Sequence, residues 1–536
     1  MTARSSALQQ SGELELPATR PDLNGQEPKR SQRLLGFVSK EPWPLVVVLM
    51  LQLALSLRLI WSNTAFGDEA LYLWAGHLEW AHWLHGMPIP DFASYFSGAP
   101  VVYPPIGAVA DAIGGLAAAR ALSMIFMLVS TMLVYLTARS LLFDKRAAFY
   151  SAAVFALLGP TISLAFATYD AMALMLIALS ALLAVRAAGR CPDLFLIPAG
   201  LAMALANITK YASALWDPAV IALAIAAAWH EGPWLRILRP ARLAAYAGCA
   251  LVMALFRLGG PTYEHGVLAT TLARPSGTAP PLSVLGDGLN YIGPVIVLSL
   301  LAVIASRWGS NRIRFLCICV TIACLLAPVN QARIHTLTSL HKHVVFGAWF
   351  AAIAAGYVIS QANRLQLERS WRVAVCAAAV IPLTLIAFDV SGGLYQWAPS
   401  NNLVATMKPL LRSEQAHYLI DPESANILYY YLHANVYPGE LSLVQCSWWD
   451  PALRRQLQGP SACAAAIKAG YYNLIETDDA ANGPEGTPAE NAVWRAIRSS
   501  GKYRMIYRAR QVHHPADFFE IWQLTDQGGV PNVAGS

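Results

Sequence analysis

Charged side chains are scarce in this sequence. Only 13% of its 536 residues are Asp, Glu, Lys or Arg, whereas 56% are hydrophobic. Soluble domains average about 25% charged and about 45–50% apolar residues. This composition excludes an ordinary soluble domain. It indicates a polytopic membrane protein that is surrounded by membrane lipids and has no nucleic acid as a partner.

Motifs for common cofactors are missing as well. The sequence holds no Walker motif, no credible dinucleotide loop, and no CxxC or Cys/His spacing of a zinc site. Most of its eight cysteines lie in apolar runs, where small buried thiols are expected. Cys446 and Cys463 stand apart in a polar segment, where a disulfide between them is an open alternative. We therefore expect no resident cofactor, and a divalent metal ion stays an open alternative.

Apolar runs long enough to cross a bilayer recur through the first 390 residues. A span needs roughly 17–25 mostly apolar residues. About eleven runs qualify by this criterion, at 44–60, 120–142, 147–167, 170–188, 193–209, 211–229, 240–257, 291–306, 313–329, 343–361 and 371–389. With a cytoplasmic N-terminus, every inner connection then carries at least two cations, as the positive-inside rule requires. This assignment of inner and outer connections requires residues 104–118 to lie along the outer interface. A membrane crossing there would move every later connection to the opposite side.

The chain divides into three predicted regions. Residues 1–43 are polar and are expected to form a disordered cytoplasmic tail. Residues 44–390 form the membrane domain, with a long outer loop at 61–119. Residues 391–536 carry strand-like runs at 417–420, 472–477, 503–509 and 518–524 and a helix near 489–500. These runs predict a small extracytoplasmic α/β or α+β domain.

Acidic and aromatic side chains follow the first span. Asp68 and Glu69 lie in the segment GDEALYLW, with Tyr72 and Trp74 just after them, and Tyr103 ends the same loop. Adjacent carboxylates are also common at a solvated helix start, and Trp and Tyr are common interface anchors. The combination is equally typical of a sugar site, where aromatic rings stack on apolar sugar faces.

More ionisable residues are predicted on the same side of the membrane. Asp170 begins the fourth span, where a helix N-cap is the alternative, and Lys210 lies between two apolar runs, where snorkelling is the alternative. Arg333, His341 and Lys342 concentrate positive charge before a late span. Arg and Lys bind phosphate well. Carboxylates and cations together suit sugar transfer from a phosphate-activated donor, since a carboxylate can deprotonate an acceptor hydroxyl while cations stabilise the departing phosphate.

At these residues the chain resembles the GT-C glycosyltransferases, in particular glycosyltransferase family 39, the protein O-mannosyltransferase and aminoarabinose-transferase-like group. The matching motifs, in family order, are GDEALY at 67–72, YFSGAPVVYPPIG at 95–107, ARALSMIF at 119–126, TYDAMALM at 168–175, ANITKYA at 206–212 and LHKHVVFGAWF at 340–350. The resemblance implies an α-helical GT-C-like membrane domain and an inverting enzyme. It also implies a polyprenyl-phosphate sugar donor and an extracytoplasmic site.

The resemblance also implies roles for single residues. Asp68 matches the family's catalytic base, Asp170 the acidic residue of the second outer loop, and Lys210 the lysine after the fifth span. Basic residues before a late span contact the lipid phosphate in the family, and these would be Arg333, His341 and Lys342. Two departures leave the donor's identity open. The segment Gly98-Ala99-Pro100 lacks the lysine of aminoarabinose-transferase-like members, and His-Lys-His replaces a common Arg-Tyr pair.

The favoured hypothesis is a multi-pass glycosyltransferase of a bacterial inner or plasma membrane that acts on an envelope glycan, a lipid or a protein. Asp68 would be the base, with Glu69 and Asp170 orienting the acceptor or an optional metal. Tyr72, Trp74 and Tyr103 would bind the sugar or the acceptor. A transporter or flippase of lipid-linked sugars would need charges inside several spans, which the sequence disfavours. A non-catalytic assembly subunit is the other alternative, and in it Asp68→Asn would be silent.

Overall fold

The structure, a computed structural model, describes residues 43–187, 192–258, 260–274, 276–362, 381, 383–411, 417–432, 441–442, 446–478, 488–510 and 518–525. The predicted tail lies outside these ranges up to residue 42. The described residues from Leu45 onward belong to one compact unit. Helices of the first part are α1 (Trp43–Ile60), α2 (Gly67–His85), α3 (Tyr103–Leu142), α4 (Lys145–Ala156), α5 (Gly159–Ser163), α6 (Tyr169–Arg186), α7 (Asp193–Thr209), α8 (Asp217–Ala227), α9 (Pro233–Leu258), α10 (Pro261–Thr270), α11 (Pro281–Ala305), α12 (Asn311–Arg333), α13 (Leu340–Ala362) and α14 (Leu383–Gly393).

Seven helices of the described chain are long and apolar enough to cross a membrane, namely α1, α3, α6, α9, α11, α12 and α13. Three shorter apolar segments, Asp193–Thr209, Tyr211–Ala227 and Leu383–Gly393, accompany them. The predicted polytopic α-helical fold is therefore confirmed. The predicted last span at 371–389 lies mostly outside the described residues.

Helix α13 forms the centre of the bundle and packs against α4, α11 and α12. Small residues allow these close approaches. A Cβ added at Gly347 would lie 2.6 Å from the Ala323 carbonyl oxygen of α12, and one added at Gly356 would clash with the Ala147 carbonyl oxygen of α4. The first turn of α13, which carries Lys342, is consequently fixed by the packing of the whole helix.

Two consecutive glycines break α3 into two segments. Gly114 and Gly115 have non-helical backbone angles, and Gly115 has a φ of 66°, which favours glycine. The segment before the break exposes Ile106, Val109 and Ile113. An exposed apolar face suits the predicted interfacial helix, and its position along the membrane surface stays a prediction.

The predicted span at 147–167 differs from the structure, which has the 12-residue helix α4 followed by the short α5. Pro160 stands at the start of α5, and a proline favours the first helical turn but lacks the N–H that a continuing helix needs. Gly159 lies against Val390, because a Cβ added at the glycine would be 2.5 Å from Val390 Cγ1. Both segments are largely buried among the other helices.

The C-terminal part contains the predicted mixed structure. Its helices are α15 (Asn401–Met407), α16 (Pro422–Leu432), α17 (Pro460–Ala469) and α18 (Pro488–Ser500). Its strands are β1 (Tyr418–Leu419), β2 (Leu441–Ser442), β3 (Ser447–Asp450), β4 (Arg455–Gln458), β5 (Leu474–Asp478), β6 (Tyr503–Arg510) and β7 (Phe518–Leu524). Five strands form a sheet in the order β2-β1-β5-β7-β6, parallel from β2 to β5 and antiparallel after it. β3 and β4 form a separate antiparallel hairpin.

One contact lies within the C-terminal region, and a second joins this region to the membrane domain. Cys446 and Cys463 form a disulfide, with 5.1 Å between their Cα atoms. The sequence had left this disulfide open. Helix α16 packs directly on α2, the helix that begins just before Asp68. The C-terminal region therefore lies beside the residues predicted to carry the chemistry.

Candidate active site

Asp68 lies in the first turn of α2 and pairs with a lysine from a distant helix. Lys342 Nζ donates to Asp68 Oδ2 at 2.6 Å. The Asp68 side chain is 42% exposed, whereas that of Lys342 is 4% exposed. The ammonium also lies over the ring of Phe66, 4.8 Å from its centroid. The carboxylate thus has one fixed cationic partner and one side open to a ligand.

Asp170 forms the second ion pair, with Lys210. Both residues are almost fully buried, and the lysine ammonium donates to Asp170 Oδ1. Thr168 Oγ1 donates to the other carboxylate oxygen at 3.0 Å. Lys210 is held in place because the chain leaves the helical conformation there, between α7 and the following turn. Gly98 packs tightly against this point, where an added Cβ would clash with the Thr209 carbonyl oxygen.

The two ion pairs belong to one cluster. Lys342 interacts electrostatically with Asp170 as well as with Asp68, and Lys210 interacts with Asp68 as well as with Asp170. Tyr72 of α2 donates from its hydroxyl to the Tyr169 hydroxyl at 2.7 Å, which links the two helices that carry the aspartates. Burial raises the pKa of Tyr72 well above its usual value, so its O–H stays available as a donor.

Glu69 is bonded to groups outside the two ion pairs, although it also interacts electrostatically with Lys342. It is fully buried and receives two hydrogen bonds from Arg120, at 2.7 and 2.8 Å, and one from the Ala167 amide at 2.8 Å. Arg120 also donates to carbonyl oxygens of the loop between α1 and α2. The structure therefore places Glu69 where it can hold the loop, rather than where it could orient an acceptor or a metal.

The predicted aromatic ligands have different positions. Tyr72 adjoins the ion pairs, but Tyr103 is completely buried and its hydroxyl lies 3.2 Å from Ser123 Oγ. Trp74 stacks on Tyr429 of α16, with 4.4 Å between ring centroids and 5° between planes. One face of Trp74 is therefore covered by protein. Tyr103 nevertheless interacts electrostatically with Asp170 and with Glu69. A role for Trp74 and Tyr103 in binding the sugar or the acceptor stays a prediction.

The three predicted basic residues before α13 do not all lie at the aspartates. His341 is half-buried and interacts electrostatically with both aspartates and with Lys342. Arg333 is exposed at the end of α12 and donates to Asn330 of its own helix at 3.0 Å. His341 and Lys342 thus adjoin the aspartates, whereas Arg333 is held at the edge of the region.

Sequence reasoning assigned no role to Tyr169 or Arg274, whereas it placed His343 in the basic segment before α13. Tyr169 receives the Tyr72 hydrogen bond and also bonds Ser97. His343 interacts with Asp170 and with Arg274, a half-buried cation from the loop after α10. The signals for these residues were weak, because Tyr169 looks like an interface aromatic and Arg274 stands alone in a loop rich in Pro and Gly.

The cluster does not fit a divalent metal ion. Each aspartate is already neutralised by a lysine, whereas a hard cation needs carboxylates or other oxygen ligands free to coordinate it. In the described ranges, no three His, Cys, Asp or Glu residues come together as a metal site. We therefore derive no step of the reaction through a metal.

One protein-family model matches part of the chain. Residues 106–258 match the family model described as dolichyl-phosphate-mannose-protein mannosyltransferase, a segment that contains Asp170 and Lys210. No curated protein sequence matches the chain.

Solved structures with a similar fold cover most of the chain. ArnT from Cupriavidus metallidurans bound to undecaprenyl phosphate has a TM-score of 0.56 and 14% identity, over 89% of this chain and 97% of that one. The same protein in its apo state has a TM-score of 0.54 and 13% identity, over the same shares. An Archaeoglobus fulgidus oligosaccharyltransferase tethered to an acceptor peptide containing the NVT sequon has a TM-score of 0.55 and 13% identity, over 91% and 74%. By its fold and its matched segment, the chain is similar to these membrane glycosyltransferases.

Proposed function

We propose that this protein transfers a sugar, with inversion, from a polyprenyl-phosphate-linked donor to an envelope glycan, a lipid or a protein. The reaction would take place at the extracytoplasmic face of a bacterial inner or plasma membrane. One observation carries the proposal: the Asp68–Lys342 and Asp170–Lys210 pairs meet in a single cluster in which only Asp68 has a substantially exposed carboxylate.

Asp68 suits the role of general base. Its carboxylate accepts the proton of an acceptor hydroxyl, whose oxygen attacks the anomeric carbon of the sugar. The bond from that carbon to the phosphate oxygen breaks, and the electron pair leaves with the polyprenyl phosphate. A single displacement of this kind inverts the anomeric configuration. A positioned base contributes about 10²–10⁴-fold to such a step.

Lys342 and Lys210 suit the departing phosphate. The donor is a phosphodiester and the product a monoester, so negative charge grows at the phosphate as the bond breaks. Ammonium groups near that phosphate stabilise the transition state more than the ground state. A bound phosphate would also compete with Asp68 for Lys342, which frees the carboxylate to act as a base.

Two features support the extracytoplasmic face. The Cys446–Cys463 disulfide is typical of an oxidising compartment. The predicted inner connections carry the basic clusters, which favours an outer position for the opposite ends of the helices, including the start of α13.

The transporter alternative fits less well. Transport sites need ionisable residues along a path through the bilayer. Asp170, Arg312 and Lys342 each lie within the first three residues of a membrane helix. These three charges are therefore at helix ends, and Arg120, which lies within α3, is held in a fully buried pair with Glu69.

The function is tested in cells by comparing lipid-linked sugars and envelope glycans with and without the gene, using mass spectrometry. We expect one polyprenyl-phosphate sugar to accumulate on deletion while one glycan, lipid or protein modification disappears. Complementation with the wild-type gene should reverse both changes. An unchanged sugar inventory would contradict the proposal.

Replacing Lys342 by Met is expected to lower kcat/KM for the donor by roughly 10- to 100-fold, because a charge-assisted hydrogen bond to the phosphate contributes about 1.5–3 kcal/mol. Folding should be little affected, since Asp68 is 42% exposed and water can solvate it after the lysine is lost. Initial rates at varied donor concentration measure the effect. Lys145→Met, at an exposed position at the start of α4, is the matched control. An unaltered donor dependence in Lys342→Met would remove this residue from the phosphate site.

A further inference from the structure

Three consecutive tyrosines of α16 each contact a different part of the region around Asp68. Tyr429 stacks on Trp74 of α2. Tyr430 donates from its hydroxyl to Asp111 Oδ1 at 2.6 Å, in the segment of α3 before the glycine break. The Tyr431 hydroxyl accepts a hydrogen bond from the Ala65 amide at 2.9 Å, in the loop that leads into α2.

One peptide unit of that loop is held from both ends. The Thr64 carbonyl oxygen accepts from Arg120 Nη2 at 2.9 Å and from Trp397 Nε1 at 3.1 Å. The N–H of the same peptide unit, on Ala65, is the group that Tyr431 binds. A peptide plane with both its polar groups bonded cannot rotate without breaking a bond. Asp68 comes three residues later, in the first turn of α2.

The remaining contacts restrain the same helix. His77 of α2 lies 2.7 Å from the second oxygen of Asp111, so Asp111 joins Tyr430 to α2. At the start of α16, the side chain of Glu423 packs on Gly67, where an added Cβ would lie 3.3 Å from Glu423 Cγ. Helix α16 therefore contacts α2 at its first residue and again further along.

We infer that Tyr429, Tyr430 and Tyr431 are positioning residues that fix the first turn of α2, and with it the carboxylate of Asp68, through the C-terminal region. This inference rests on the proposed function for its effect on rate, although the contacts themselves do not depend on it. The C-terminal region is then part of the active-site framework and not only an appended domain. Tyr431 acts most directly, because it binds the loop three residues before Asp68.

The test is Tyr431→Phe, which keeps the ring and removes only the hydroxyl. The measurement uses the full-length protein in lipid nanodiscs with the donor identified by deletion of the gene, and rates are divided by the number of donor-binding sites. We expect kcat to fall about tenfold, with KM for the donor unchanged, since a misplacement of about 1 Å can cost up to about 10²-fold in rate. Loss of folded protein alone would reduce the number of sites and leave kcat per site unchanged.

Hydrogen exchange gives a second readout that needs no activity. The Ala65 amide should exchange faster in Tyr431→Phe than in the wild type. Tyr471→Phe is the matched control, because Tyr471 stacks on His417 within the C-terminal region, and it should alter neither kcat nor exchange at 61–71. Tyr430→Phe, which loses the bond to Asp111, serves as a second variant with a smaller expected loss of kcat.

The outcomes separate this inference from the proposed function. If Asp68→Asn is inactive while Tyr431→Phe and Tyr430→Phe keep wild-type kcat and exchange, the positioning role is wrong and the proposed function stands. If Asp68→Asn keeps full activity, the proposed function fails whatever the tyrosines do. Faster exchange at 61–71 without a change in kcat would overturn the link to Asp68.

Discussion

Asp68→Asn is expected to reduce sugar transfer by about 10²–10⁴-fold, the contribution of a positioned general base. The amide has nearly the shape of the carboxylate but cannot take the acceptor's proton. Donor binding should change much less, because Lys342 and Lys210 remain. Transfer of radiolabelled sugar from the polyprenyl-phosphate donor in nanodiscs measures the rate, and donor accumulation in cells gives an independent readout.

The matched control for this substitution is Asp91→Asn. Asp91 lies in the loop between α2 and α3, and its side chain is exposed. It should leave transfer unchanged. Full activity in Asp68→Asn would instead favour a non-catalytic role for the cluster.

Arg120→Met is expected to destabilise the fold by about 3–5 kcal/mol, the usual effect of removing one partner from a buried ion pair. Arg120 and Glu69 are both 0% exposed, so the loss of the guanidinium leaves an uncompensated carboxylate in the interior. It also leaves carbonyl oxygens of Ile60, Asn63 and Thr64 without this donor. Thermal unfolding in detergent, followed by the amount of protein that stays monodisperse, measures the loss.

A double variant makes the reason for this loss explicit. Adding Glu69→Gln to Arg120→Met should recover part of the stability, because the buried group is then neutral. Arg146→Met, at an exposed position near the start of α4, is the control and should have little effect. If Arg120→Met unfolds at the wild-type temperature, the ion pair does not stabilise the loop before α2.

The sequence predicted the membrane fold and the meeting of Asp68 with Asp170, because both aspartates follow or begin apolar spans on one predicted side. It could not predict the different environments of Asp68 and Glu69. Successive residues on a helix are about 100° apart, so the Asp68 carboxylate is partly exposed while that of Glu69 faces the protein interior. The side that is buried depends on Arg120, far along the chain.

The aromatic residues illustrate the same limit. Trp74 was predicted to bind sugar, yet it stacks on Tyr429, which lies in a helix that comes after all the membrane spans. An aromatic ring next to carboxylates has the same local pattern whether its face meets a sugar or another ring. Only the tertiary contact of α16 with α2 distinguishes the two.

Under the proposed function, the two lysines that pair with the aspartates also affect how fast the spent carrier lipid is released after sugar transfer. The spent carrier lipid has a phosphate monoester, which bears more negative charge than the sugar-loaded diester, while the neighbouring ammonium groups keep theirs. Under the proposed function, the carrier therefore binds more tightly after it has lost its sugar than before. Turnover would then be governed by release of the used lipid, and the protein would slow down wherever the membrane fails to remove that lipid for reloading.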